Sequence, residues 1–372
     1  MPPTRPHLIL LGGFLGAGKT TAMLALGDWL ADQGIRPAFI TNDQAGDLVD
    51  TQLLQFCGHA AEEIAGGCFC CRFDELVGAT RRLRGVLRPD VFVAEAVGSC
   101  TDLAATVTSP MRRLLSEECT VAPLSVVIDP VRAREVLGLD EVAEFSDDVR
   151  YIYRKQLEEA DAIVINKCEL LEKHQHDELI VALRAEFPRA SLFAVSARER
   201  VNLDEWFRHI VFNEQPIRPL MDVDYDRYAD GEARLGWLNA RVALRSTVSL
   251  DGNALLQRLV EELRRGLVAG NATVAHLKMV LEAESGVAAI NLVRSGVAAE
   301  PGVRLAGDIR DGRLTINLRA EADPALLEHL LREAVAAIGA GALDVEHVEA
   351  FRPGRPVPTH RDTSAQVTPP NT

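Results

Sequence analysis

One octapeptide constrains this chain more than anything else in it: Gly13-Phe14-Leu15-Gly16-Ala17-Gly18-Lys19-Thr20 fits G-x-x-x-x-G-K-[ST]. An apolar run of strand character at 8–11 precedes it and a helical stretch at 21–30 follows, which is the context a phosphate-binding loop requires. Glycines let successive backbone N–H groups curl around a phosphate, the lysine offers a point charge to the β and γ phosphates, and the hydroxyl suits Mg²⁺. The expected phosphate contacts are therefore Gly13, Gly16, Ala17, Gly18, Lys19, Thr20 and Thr21, with Lys19 read as an exposed loop side chain. The glycine spacing is G-x-x-G-x-G, not G-x-G-x-x-G, which argues against a dinucleotide oxidoreductase.

A phosphate loop of this kind needs a sheet behind it. Short apolar runs recur at 8–11, 38–41, 91–94, 124–128, 162–165 and 192–195, separated by stretches that accommodate helices. Several are apolar throughout, as expected for parallel strands covered on both faces, and ligands then gather at their carboxyl ends. From 213 to 235 Pro216 and Pro219 are followed by Asp222, Asp224, Asp226, Asp230 and Glu232, which reads as a linker. Beyond it, strands are expected near 238–244, 274–281, 288–293, 314–318 and 345–351, with helices near 254–267 and 324–338. This is a smaller α+β unit over 236–352, with helices on a mostly antiparallel sheet. The Pro- and Thr-rich stretch 353–372 reads as a flexible tail.

Other residues gather at the same sheet edge. Asn166-Lys167-Cys168-Glu169 follows a strand and resembles the N-K-x-D element of GTPases, in which a carboxylate accepts the guanine N1–H and amine. Here Glu169 replaces Asp, and a buried carboxylate at this position would favour GTP over ATP. Ser196-Ala197 after the last strand resembles the loop that meets guanine O6. Glu95 ends one strand and Asp43 lies just past another, so with Thr20 they are the expected Mg²⁺ residues, and with Lys19 the expected catalytic ones. Gly66-Gly67-Cys68-Phe69-Cys70-Cys71 packs three thiols into four residues. Soft thiolates in that number suit Zn²⁺ or Cu(I), and accept Co²⁺ or Ni²⁺. Three ligands leave one tetrahedral position open to water or a partner. The C-x-C-C spacing differs from the C-x-x-C of thioredoxin-like redox pairs.

Together the phosphate loop, the Asn42-to-Asp50 segment, GGCFCC, the E-x-x-G at Glu95, the strand end at Asp129 and QLEEADAIVINKCEL resemble the CobW-like metallochaperone GTPases, relatives of the urease and hydrogenase nickel-insertion GTPases. The resemblance covers residues 7 to about 212. It implies a P-loop GTPase domain over 1–212 that uses GTP, Mg²⁺ and hydrolysis to deliver a metal bound at Cys68, Cys70 and Cys71 to a client metalloprotein. Zinc is the first metal it suggests, and a cobalt-handling role in cobalamin synthesis is an alternative. Family members often carry N-E-F-G-E where this chain reads Asn42-Asp43-Gln44-Ala45-Gly46. A P-loop kinase of a small molecule would leave C-x-C-C without work; a non-enzymatic metal buffer or sensor is the third alternative.

Composition narrows the partners. With 40 Lys and Arg against 54 Asp and Glu, the net charge of −14 is the wrong sign for a general hold on nucleic acid or an anionic membrane. The apolar run before Gly12 and Gly13 is too short to span a bilayer, and no cleavage site follows it. The expected compartment is the cytoplasm, where the seven cysteines read as thiols or metal ligands rather than disulfides. A homodimer is compatible with these features.

Overall fold

The computed structural model describes residues 5–44, 49–140, 144–339 and 342–363. The chain divides into two compact units, one comprising Met1–Gly46, Leu53–Ala229 and Pro356–Thr372, the other Asp47–Gln52 and Asp230–Arg355.

The first unit carries β1 (His7–Gly12), α1 (Lys19–Asp32), β2 (Pro37–Asn42), α2 (Val49–Phe56, shared with the second unit), β3 (Ala61–Ile64), α3 (Phe73–Leu87), β4 (Val91–Glu95), α4 (Ser109–Leu114), β5 (Thr120–Val121), β6 (Ser125–Ile128), α5 (Pro130–Val136), α6 (Asp147–Glu159), β7 (Ala162–Ile165), α7 (Lys173–Glu186), β8 (Ser191–Ala194), α8 (Leu203–Phe212) and α9 (Tyr225–Arg234), the last running into the second unit. The strands form a parallel sheet in the order β3-β2-β4-β1-β6-β7-β8, with β5 beside β1. Strands β1, β4, β6 and β7 are buried along their whole length. That is why they read as unbroken apolar runs: helices cover both faces, and Ile9, Leu11, Val93, Val127 and Val164 pack with Met23, Leu26, Trp206 and Phe207. Because β1 lies between β4 and β6, the loop leaving its carboxyl end opens at the point where strand order reverses, the crevice in which such sheets bind ligands.

The second unit is built from β9 (Leu235–Leu250), α10 (Gly252–Ala269), β10 (Thr273–Ala283), β11 (Gly286–Leu292), β12 (Glu300–Pro301), β13 (Ile309–Glu321), α11 (Pro324–Gly339) and β14 (Leu343–Phe351). Its antiparallel sheet runs β12-β11-β10-β13-β9-β14. Alternate residues supply one core: Leu238, Ala240, Val242 and Leu244 from β9 and Leu314, Ile316, Leu318 and Ala320 from β13. Leu256, Leu259, Val260, Leu263 and Leu267 of α10 form the apolar stripe that joins them. In β10 a bulge between Val274 and His276 shifts the phase, so the inward residues after it are Leu277, Met279 and Leu281. Residues 47–52 belong to this unit, where Lys278 donates to Asp50 at 2.6 Å.

Two expectations are corrected. The acidic stretch 213–235 contains α9, because Tyr228 and Val223 bury themselves against Ile152 and the Asp224 backbone N–H donates to the Tyr151 hydroxyl at 2.8 Å. The stretch 353–372 is not a free tail over its described part. Asp362 is buried, accepting from Ser109 at 2.8 Å and Arg113 at 2.7 Å, and Thr359 bonds to the cysteine loop. Residues 364–372, and residues 45–48 of the Asn42-to-Asp50 segment, lie outside the described residues.

Candidate functional site

The phosphate loop is shaped by positions at which only glycine fits. Gly13 has φ +123°, and a Cβ there would lie 2.0 Å from the Val127 carbonyl oxygen. Gly18 (φ +92°) precedes α1 with no side-chain cap, and a Cβ there would meet the Asn166 amide at 2.4 Å. The first N–H groups of α1 therefore have no capping side chain and remain suited to an anion. Lys19 opens α1 and is buried, contrary to the exposed position expected from its loop motif. Its Nζ donates to the Gly13 oxygen at 2.7 Å and lies 3.8 Å from Glu95 Oε1. Folding the cation back onto the loop that would hold the phosphate gives it a partner it can exchange for phosphate oxygens. The Thr20 hydroxyl donates to Glu95 Oε2 at 3.2 Å, so the end of β4 sits against the first turn of α1.

Arg132, which the sequence motifs do not reveal, braces the loop from the far side. It is buried, donates to the Leu15 oxygen at 2.6 Å, and lies over the Phe14 and Phe145 rings at 5.7 and 5.2 Å. Asp129 caps α5 by accepting from the Val131 N–H and also holds Lys167 at 3.0 Å. Lys167 in turn donates to the Gly16 oxygen at 2.9 Å. Buried Asn166 donates to the Ala17 oxygen and accepts the Ala197 N–H, both at 2.9 Å, so it ties the phosphate loop to the Ser196-Ala197 loop. Ser196 accepts the Glu199 N–H through its hydroxyl at 3.1 Å. Glu169 is exposed, not the buried carboxylate expected, because the short helical turn Cys168–Leu170 carries it outward. Thr21, in the first turn of α1, is also exposed.

The second half of the site begins where β2 ends. Asn42 donates to the Ile64 oxygen at 2.9 Å and the Gly67 oxygen at 2.7 Å, and accepts the Phe69 N–H at 2.8 Å. Asp43 follows, its carboxylate accepting the Gln44 N–H at 2.6 Å. The cysteine loop then turns tightly, with the Cys71 and Arg72 N–H groups both donating to the Cys68 oxygen. The three sulfurs converge: Cys68 to Cys70 is 2.8 Å, Cys68 to Cys71 3.4 Å, Cys70 to Cys71 3.8 Å. They form a group able to hold a metal ion. Cys68 and Cys70 are buried and Cys71 is partly exposed. Hydrogen bonds from the Cys100, Cys70 and Cys71 thiols hold Cys68 well below the ordinary thiol range. Cys70, sharing its proton with Cys100 and Cys68, is pushed up, and Cys71 beside Cys68 is pushed up to about 11. Cys68 is thereby favoured over its neighbours as the thiolate, the form in which a cysteine binds a soft metal ion.

The residues expected at the nucleotide from the first loop, Asn166, Lys167 and Ala197 are thus brought together by hydrogen bonds, as are the three cysteines. Asn42, Arg132, Cys100 and the stretch 357–362 are additional. Among the described residues no helix is long and apolar enough to cross a membrane.

The model of the CobW/HypB/UreG nucleotide-binding domain matches residues 7–193. The chain is 30% identical over 183 residues to the zinc chaperone CobW of a Sinorhizobium species, covering 44% of this chain and 51% of that one. It is 34% identical over 174 residues to the zinc chaperone YeiR of Escherichia coli (strain K12), covering 44% of this chain and 46% of that one. The chain thus spans about half the length of these curated relatives. A family model covering half the chain, centred on the loops just described, assigns it: the chain belongs to the CobW/HypB/UreG nucleotide-binding domain family.

Proposed function

We propose that this chain is a GTPase that carries a transition metal, with zinc the first candidate and cobalt or nickel the others, and passes it to a client metalloprotein. The observation that carries this reading is Asn42. It ends a strand beside the nucleotide edge and is hydrogen-bonded to Ile64, Gly67 and Phe69, so the cysteine loop is fastened to the strand end that leads into the segment 43–50. A γ-phosphate that engages Asp43 would pull on Asn42 and through it on the cysteines, and hydrolysis would release them, the device by which nucleotide switches act. The relatives named as zinc chaperones support zinc.

The donor set fits a bound triphosphate with its cation. Thr20 and Glu95, already in contact, would hold Mg²⁺, with Asp43 as a third group. When bound, Mg²⁺ neutralises charge on the β and γ phosphates. Lys19 would exchange the Gly13 oxygen for a phosphate oxygen, and Glu95 and Asp43 would orient the attacking water. Asn166, Lys167, Ser196 and Ala197 would frame the base, with Glu169 at its rim. GTP turnover by the full chain, with and without one equivalent of Zn²⁺, tests the reading. We expect zinc to change turnover in the wild type and not in a Cys68→Ser, Cys70→Ser double variant. Zinc binding with no GTP turnover at any loading would overturn the GTPase reading in favour of a passive metal buffer.

A further inference from the structure

Cys100 lies outside the C-x-C-C motif, in the loop that follows Glu95, and is buried. A buried cysteine ordinarily packs as a small hydrophobe. The Cys100 thiol is the first of the neighbours that shift Cys68 and Cys70, which puts it beside both, outside the three sulfurs that lie within 4.8 Å of one another. The backbone around it is held on every side. Gln156 donates to the Cys100 oxygen at 2.8 Å and to the Gly98 oxygen at 3.0 Å. The Thr101 N–H donates to the Tyr228 hydroxyl at 3.3 Å, and Asp102 accepts from Tyr225 and from Arg361, each at 2.7 Å.

The stretch 357–361 joins the two cysteine-bearing loops. At one end the Val357 N–H donates to Cys71 Sγ at 3.3 Å and the Thr359 N–H to the Cys70 oxygen at 2.8 Å. At the other, Arg361 holds Asp102, two residues past Cys100. A buried thiol beside two sulfurs of a metal-binding group, on a loop braced by hydrogen bonds to its backbone, has the preparation expected of a ligand.

We propose that Cys100 is the fourth thiolate ligand of the cargo ion, completing Cys68, Cys70 and Cys71 to a tetrathiolate site; this rests on the reading of those three as a metal site. The ion arrives hydrated, sheds its waters, and displaces the thiol protons to solvent, with no change of oxidation state. Four thiolates match the tetrahedral preference of Zn²⁺. Cys71 is the one of the four that is not buried, so it is the ligand a client thiol can replace first. Cys100 sits on the loop leaving β4, whose last residue, Glu95, touches Thr20, so one of the four ligands is mounted on the nucleotide-binding edge.

The test uses Co²⁺ as the probe on the full chain under reducing conditions, in the wild type, Cys100→Ser, the Cys68→Ser, Cys70→Ser double variant, and Cys119→Ser as a buried thiol outside the group. Sulfur-to-cobalt charge-transfer intensity counts thiolates, so Cys100→Ser is expected to lose about a quarter of it, and zinc affinity by chelator competition to fall at least about 10-fold. Cys119→Ser should match the wild type. Wild-type intensity and affinity in Cys100→Ser would overturn the fourth ligand while leaving the three-cysteine site intact. Undiminished cobalt binding in the double variant would overturn the metal-site reading itself. Should Cys100→Ser fail to fold, zinc-edge absorption of the wild type decides: four sulfurs at about 2.3 Å support the proposal, and three sulfurs with one lighter atom contradict it.

Discussion

The phosphate loop offers its ligand backbone N–H groups held open by Gly13 and Gly18, whereas the cysteine loop offers side-chain sulfurs that meanwhile hydrogen-bond one another. In the first, the cost of organising donors is met by packing: Val127 and Asn166 press so closely that no Cβ is tolerated. In the second the cost is electrostatic, because each further thiolate is formed against the negative charge of the last. The first site is therefore expected to respond chiefly to shape, and the second to pH and to whatever holds its sulfurs together.

Among substitutions, the largest effect expected from breaking this contrast is at Lys19. Lys19→Ala should cut GTP turnover by roughly 100- to 1000-fold, as for removal of a group that stabilises developing oxyanion charge. Zinc affinity measured without nucleotide should not move. Next comes pH. Cys70 and Cys71 sit above the ordinary thiol range, so they are protonated at neutral pH and metal must expel their protons. Affinity for zinc should therefore rise with pH, by roughly 10-fold per pH unit for each proton released, between pH 6 and 8. GTP affinity over the same range should stay nearly flat by comparison, and parallel slopes in the two titrations would erase the distinction.

A smaller effect is expected at the base. Asn166→Ala removes the link between Ala17 and Ala197 and should weaken GTP binding by about 1–3 kcal/mol, the usual penalty for a buried hydrogen-bonding group left without its partner. Glu169→Gln should cost less, since its carboxylate is exposed, and competition with ATP measures both. Smaller again is the effect of ending the chain at Arg355. Loss of the Val357, Thr359 and Arg361 contacts should weaken zinc binding by about 10-fold, a typical outer-shell loss, with GTP affinity unchanged.

Local signals were legible and distant pairings were not. The glycine-lysine spacing, the unbroken apolar strands and the C-x-C-C run each lie within a few residues of one another, so the α/β class, the antiparallel second unit and both loops could be read directly. Strand β3, Ala61–Ile64, escaped because an edge strand with two glutamates has no apolar run to betray it. Helix α9 was hidden by its acids, although Tyr225 and Tyr228 at helical spacing mark its buried side. Arg132 and Asn42 work through backbone atoms far along the chain, and nothing in their neighbourhoods distinguishes them. The contacts of Thr359 and Asp362 span more than 200 residues of sequence, and proline-rich composition argues for the opposite outcome.

The central claim is that the two loops form one device. Titration of Zn²⁺ into the wild type with GDP, and again with a non-hydrolysable GTP analogue, tests it most directly. Coupling through Asn42 and the Glu95 loop predicts that zinc affinity differs between the two states by about 5- to 150-fold, and linkage requires the same factor for nucleotide affinity with and without zinc. Equal zinc affinity in both nucleotide states would contradict the account.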